Sequence, residues 1–188
     1  MDTSVSSQPT KISTSMCGYM IDIPIIEGID CVLDLNKYLC PCAQSDRYYT
    51  VKDDVAIRVY KRTKRFQLTG DYVITELLLM PDTYVHVGSN WWKEPYHMTK
   101  NAHIIKSDFH PFKCRANIVF VANSIDMKTQ RKISFAYSIY DSNIEYVNNR
   151  ETMPSAFLCA YSVDTDTTCG SGIHFFFIKE QAESYDFS

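Results

Sequence analysis

Cys169–Ile178 reads CGSGIHFFFI, and the conformation assigned to this stretch decides the fold. As a strand, it sends Ile173, Phe175 and Phe177 to one side and His174, Phe176 and Ile178 to the other. Both sides are then largely apolar, as expected of an interior strand covered on both faces. A histidine placed there needs hydrogen-bond partners, because a buried polar group left unsatisfied costs about 1–3 kcal/mol. His174 is therefore expected to be a neutral core histidine with an architectural role. Gly170 and Gly172 permit a tight turn or a close backbone approach at the strand entry. No strong helix start follows them, so a plain turn is preferred to an anion-binding nest.

Working outward, the rest of the chain has the same character. Val55–Tyr60 alternates as a strand, Tyr72–Met80 is a second, and Pro81-Asp82 starts a turn. Further strands are expected at Cys114–Ala122 and Lys132–Tyr140, while residues 17–35 read as extended pieces broken by Pro24 and Gly28. Only Lys179–Tyr185 has helical character. The missing long helices argue against βαβ winding and a parallel sheet. The expected class is α+β, mainly β, with antiparallel sheets and one short C-terminal helix. Thirteen Tyr and ten Phe among 188 residues favour the same class, since aromatic side chains suit pleated, half-buried surfaces.

The net charge of −3 gives no global electrostatic case for binding nucleic acid or an anionic membrane. No apolar run approaches the roughly 20 residues needed to span a bilayer. Residues 1–16 are polar, lack the apolar core of a secretory signal, and are expected to be a flexible arm ahead of one compact domain over 17–188. The seven cysteines are an odd number, so reduced thiols are expected. Cys40-Pro41-Cys42 is tighter than the usual zinc-ligand pair and has no second pair, so neither a metal nor a cofactor is expected.

Three segments carry a family resemblance. They are Thr75–Val87 (TELLLMPDTYVHV), Lys113-Cys114-Arg115-Ala116 with the strand NIVFVANSID after it, and Cys169–Tyr185. Together they resemble a family of uncharacterised proteins marked by a C-terminal Gly-Ile-His-Phe-Phe signature. Its members occur alone or beside pentapeptide repeats, notably in giant DNA viruses and phages. The resemblance implies a shared fold and a viral setting, with the host cytoplasm or the virion as its location, and brings no activity. It implies structural roles for Gly170, Gly172, His174, Ala182 and Tyr185. Ile178 stands where the family usually has Thr or Ser, so the final helix is expected to lack a side-chain cap and to fray.

Three functions follow from particular residues. The loop around Trp91, Trp92 and Tyr96 is expected to bind a protein partner or a second copy, because Trp and Tyr dominate interface hot spots. A non-enzymatic structural or interaction module is accordingly the preferred reading. The pattern GIHFF-x5-A-x-x-Y is also similar to the Gly-Ile-Tyr-Phe-Ala segment of ADP-ribosyltransferases. That likeness implies a nucleotide-handling enzyme using Arg58 and His174. The third function rests on Arg58, Lys61, Arg62, Lys64 and Arg65, five cations in eight residues. They are expected to form a solvated hairpin tip that guards a sheet edge. The alternative is a nucleic-acid patch with Tyr48, Tyr49, Tyr60 and Phe66 as stacking surfaces.

Overall fold

A computed structural model describes residues 10–16, 18–43, 48–66, 71–87, 114–141, 143–154 and 172–185. The architecture is α+β and mainly β, and the described strands form two sheets. The larger runs β1 (Lys11–Met16), β2 (Tyr19–Glu27), β5 (Ala56–Lys64), β6 (Tyr72–Leu79), β9 (Val119–Asp126) and β10 (Arg131–Ile133) in that spatial order. Beside it, β11 (Phe135–Tyr137) pairs with β12 (Glu145–Val147) and touches β5, while β13 (Arg150–Thr152) pairs with β9. The smaller sheet runs β14 (Ile173–Phe175), β8 (Cys114–Ala116), β7 (Tyr84–His86), β4 (Tyr48–Val51) and β3 (Leu39–Pro41).

One apolar cluster joins the two sheets. Ile57, Val59, Leu77, Leu79 and Val121 come from the larger, and Leu39, Val51, Val85, Ile173 and Phe175 from the smaller. The period-two alternation places these side chains on facing surfaces and leaves the opposite faces for other work. On the outer face of the larger sheet, α3 (Lys179–Ser184) covers Tyr60 and Ile74 with Ala182, which is fully buried. No side chain caps α3 at Ile178, as the sequence implies.

Several expectations need correction. Among the described residues the strand at β14 is not central: there it pairs with β8 alone, at the end of its sheet. Just beyond it, Phe176 bridges to Tyr60 through two backbone hydrogen bonds of 2.7 Å, which ties the smaller sheet to the larger. Phe177 and Ile178 both enter the shared core, because the chain leaves strand geometry there and stops alternating. Two further short helices, α1 (Gly28–Leu33) and α2 (Leu35–Tyr38), have no strong apolar periodicity to announce them. One strand pair, β2 with β5, is parallel.

Pro24 does not break β2. It falls where β2 passes from β1, its partner over Tyr19–Pro24, to β5, its partner over Ile25–Glu27. A residue without an N–H is tolerated at such an edge. The expected arm is a strand from Lys11 to Met16, fully paired with β2. Its alternating polar and apolar residues suit a two-stranded ribbon.

The β9–β10 hairpin shows how one side chain closes a turn. Asp126 is buried, and its Oδ1 accepts hydrogen bonds from the backbone N–H groups of Thr129 (2.9 Å) and Lys128 (3.0 Å). Its Oδ2 accepts one from Arg65 at 2.9 Å. The Thr129 bond is the main cause holding this carboxyl below the ordinary carboxylate range. Asp126→Ala is expected to cost about 2–3 kcal/mol at neutral pH, from three lost acceptor contacts. A folded-state pKa below the unfolded one makes this stabilisation present above about pH 4 and lost as pH falls through the folded value. Urea midpoints of both proteins at pH 7 and pH 3 check this; a gap that does not narrow in acid refutes it.

Candidate functional site

β5 carries four of the five clustered cations, and alternation divides them. Ile57 and Val59 face the shared core, and Lys61 follows on that side. Arg58, Tyr60 and Arg62 project from the other. Because β5 lies inside the larger sheet, Arg58 and Lys61 are only 3% and 5% exposed. The solvated tip expected from the charge run is therefore a buried strand, and each buried cation has a partner.

Lys61 Nζ donates to the carbonyl oxygen of His174 at 2.8 Å and lies 5.9 Å from the centroid of the Tyr146 ring. Burial lowers its pKa to about 8. Arg58 donates to Glu27, the last residue of β2, which the parallel register sets directly beside it. The Tyr60 hydroxyl donates to the other Glu27 oxygen at 3.2 Å. Across the sheet, Glu76 stands opposite Tyr60, and burial raises its pKa against the opposing pull of Arg58 and Lys179. Burial, with help from Glu27, also raises the Tyr60 pKa. A phenol shifted that way keeps its proton across the physiological range. Arg58, Glu27 and Tyr60 thus form a hydrogen-bonded brace between β2 and β5.

Arg62 stacks over the Tyr72 ring with 3.8 Å from its guanidinium carbon to the centroid. It donates to the carbonyl oxygens of Glu183 (3.1 Å) and Tyr185 (2.5 Å), closing the end of α3 where unpaired carbonyls favour a cation. Arg65 reaches the β9–β10 hairpin, and Lys64 is half-buried at the end of β5, opposite Tyr72 and Tyr137. The five cations do not share one surface. Lys61 and Arg62 clasp the C-terminal segment, and Arg58 holds β2.

His174 is half-buried, and its backbone holds Lys61. Gly172 has φ +131°, a conformation that suits glycine. The Tyr185 hydroxyl meets that of Tyr140 at 2.7 Å, and its ring is 5.3 Å from that of Phe176. Trp91, Trp92, Tyr96 and Gly170 lie outside the described residues. Cys31 and Cys114 are buried thiols, and burial pushes the Cys31 pKa up to about 12, with Cys114 adding to the effect. Cys40 is exposed. Among the described residues no group of three or more His, Cys, Asp or Glu is placed to hold a metal ion, and no helix is long and apolar enough to cross a membrane.

The β1–β2 ribbon extends from the larger sheet, with one face covered at Ile23, which is 3% exposed, and its tip exposed. Its strands pair from Lys11↔Pro24 to Met16↔Tyr19, and among the described residues β1 pairs with nothing else. At the turn, Gly18 takes φ +83°, and Tyr19 and Met20 beyond it are 75% and 70% exposed. The reading from sequence missed this tip, although Gly18 between KISTSM and YMIDIP is a hairpin signal. It also missed Glu27 and Glu76, whose roles depend on β5 being interior.

A model of a family of unknown function (DUF5758) matches residues 96–182, a little under half of the chain. The matched span takes in β8 to β14 and Ala182, and is similar to that family. A kinship with uncharacterised proteins is thereby supported. No curated protein and no solved structure matches the chain.

Proposed function

We propose that this chain is a non-enzymatic interaction module that engages a protein partner, a second copy of itself included, through the β1–β2 ribbon and its Tyr19–Met20 tip. The exposed apolar tip, Tyr19 at 75% and Met20 at 70%, is the observation that carries this reading. Among the described residues β1 has no partner but β2, and an unpaired strand edge beside exposed apolar residues gains by being covered. The cations of β5 support the same reading, because Arg58, Lys61 and Arg62 hold other parts of the fold in place. The loop of Trp91, Trp92 and Tyr96 supplies a second contact surface in this proposal. The setting it proposes is that of a large DNA virus or phage, in the virion or the cytoplasm of the infected cell.

Sedimentation of the full chain tests the reading. The wild type is expected to self-associate, and Tyr19→Ser with Met20→Ser to shift it towards monomer by at least tenfold in dissociation constant. Trp91→Ala and Trp92→Ala are expected to weaken association further. A wild type that stays monomeric at high concentration rules out self-association, and unaltered association in the ribbon variant rules out the ribbon.

A further inference from the structure

Pro24 fixes which backbone groups of β1 face outward. It stands opposite Lys11, and in the adjoining pair the Ile25 N–H donates to the Thr10 carbonyl oxygen at 2.9 Å. Proline has no N–H, so Lys11 and Pro24 form a pair that exchanges no hydrogen bonds. Antiparallel pairs alternate, which makes Ile12↔Ile23 and Thr14↔Ile21 bonded pairs and Ser13↔Asp22 an unbonded one. The peptide N–H and C=O groups of Lys11, Ser13 and Ser15 therefore point away from β2. Among the described residues nothing pairs with β1 on that side.

Side chains sort with the same period. Ile12 and Thr14 share a face with Ile23 and Ile21, while Ser13 shares the other with Asp22, to which its hydroxyl donates. The first face grades from buried Ile23 through half-buried Ile12, Thr14 and Ile21 to exposed Tyr19. Natural sheets guard an open edge with a proline, a bulge or a charge. Ile12-Ser13-Thr14-Ser15 carries none of these, since its pairing with β2 is continuous and the one charge of β1 lies at its start. Centred on Thr14, moreover, Ser13-Thr14-Ser15 reads the same in both directions. A two-fold contact sets each residue against its counterpart, and a sequence symmetric about its centre suits that.

We propose that the open edge of β1 pairs with β1 of a second copy, antiparallel, with Thr14 opposite Thr14 on the two-fold axis. In that register Ser13 of each copy meets Ser15 of the other as a pair that exchanges both backbone hydrogen bonds, which uses the outward peptide groups at the centre of the strand. The faces stay in step: the side bearing Ile12, Thr14 and Ile21 continues into the same side of the second copy. A slip of one residue would set that side against the serines. Opposed Thr and Ser hydroxyls can bond across the strands, and no charge lies within the central Ser-Thr-Ser to meet its like. This inference rests on the interaction reading above and deepens it by naming the partner, the edge and the register.

Cysteine crosslinking of the full chain tests the register. Thr14 would face its counterpart in a pair without backbone bonds, at about 4.5 Å between Cα atoms, which lies within disulfide reach. Incubated with glutathione disulfide, Thr14→Cys is expected to give at least tenfold more covalent dimer than the wild type, with mass spectrometry placing the link at position 14 of both copies. Ser13→Cys alone is expected not to link, because its counterpart stands two residues out of register; mixed with Ser15→Cys it is expected to link. In sedimentation, Ser15→Pro, which removes an N–H that β2 does not use, is expected to weaken association at least tenfold. Should Ser15→Pro fail to fold, the crosslinks decide alone. A wild type that stays monomeric at high concentration overturns the second copy as occupant and leaves the ribbon to a different protein. Association weakened by Tyr19→Ser with Met20→Ser, but with no link at Thr14→Cys, overturns the edge and register while the reading of the tip stands.

Discussion

Gly28→Ala is expected to destabilise the fold by about 3 kcal/mol, near the upper end of what overpacking costs, and to lower Tm by roughly 10 °C. Gly28 opens α1 directly after β2, at a point where three stretches of backbone converge. A Cβ there would collide with the Phe177 carbonyl oxygen, stand 2.8 Å from the Phe177 carbonyl carbon and 2.7 Å from the Arg58 carbonyl oxygen. These are main-chain atoms, the Arg58 carbonyl within β5 and Phe177 next to the Phe176–Tyr60 bridge, so no side chain can swing aside to relieve the clash. The collision also falls on the residue after Phe176, where the two sheets are joined. Gly18→Ala is the control: its surroundings are open, so only the positive φ is strained, at about 1 kcal/mol. Chemical denaturation of the two variants decides between the two causes. A Gly28→Ala protein that melts with the wild type would falsify the close approach.

Lys61→Met is expected to stabilise the protein by about 2 kcal/mol at pH 7, because replacing a buried ion by an apolar side chain of similar volume commonly does so. The wild-type cation has a hydrogen bond to the His174 carbonyl and the Tyr146 ring nearby, but no carboxylate partner in the described contacts. Its pKa of about 8, lowered by burial from 10.5, means that the unfolded chain holds this proton more tightly than the folded one. Stability must therefore rise with pH from about 8 towards 10.5, with a slope approaching 1.4 kcal/mol per pH unit. The opposite trend begins at about pH 9. Burial raises the Cys31 pKa from 9.0 to about 12, and those of Tyr60 and Tyr146 also rise, so the stability they lend fades as the unfolded chain ionises. Between pH 7.5 and 9 the wild-type Tm should climb while that of Lys61→Met stays level. Parallel profiles would show that the Lys61 ammonium is not desolvated.

Much of the fold was legible locally. The alternation in Val55–Tyr60 and Tyr72–Met80 marks β5 and β6, Pro81-Asp82 marks the turn after them, and the lost cap at Ile178 marks a short final helix. The site was less legible. Five cations in eight residues look solvated when read along the chain, since charge runs are usually exposed. Here β2 and β6 flank β5 on both edges, while the C-terminal segment reaches it from far along the chain. Arg115 lay within a quoted motif, but its place in a row with His86 and Tyr48 depends on the register of strands far apart in sequence.

The division has one physical cause. Side-chain periodicity, turn residues and capping are short-range properties, and from them the chain by itself determined its class, most of its strands and its terminal helix. Which strands neighbour one another depends on hydrogen bonds and apolar contacts closed over long loops, such as the bond from Lys61 to His174 across 113 positions. Only the tertiary structure decided that β14 lies at the end of its sheet among the described strands, that Arg58 and Lys61 are buried, and that Tyr48, His86, Arg115 and His174 fall in line. Burial and register are collective, because each residue's surroundings are supplied by segments that its own sequence neighbourhood does not contain.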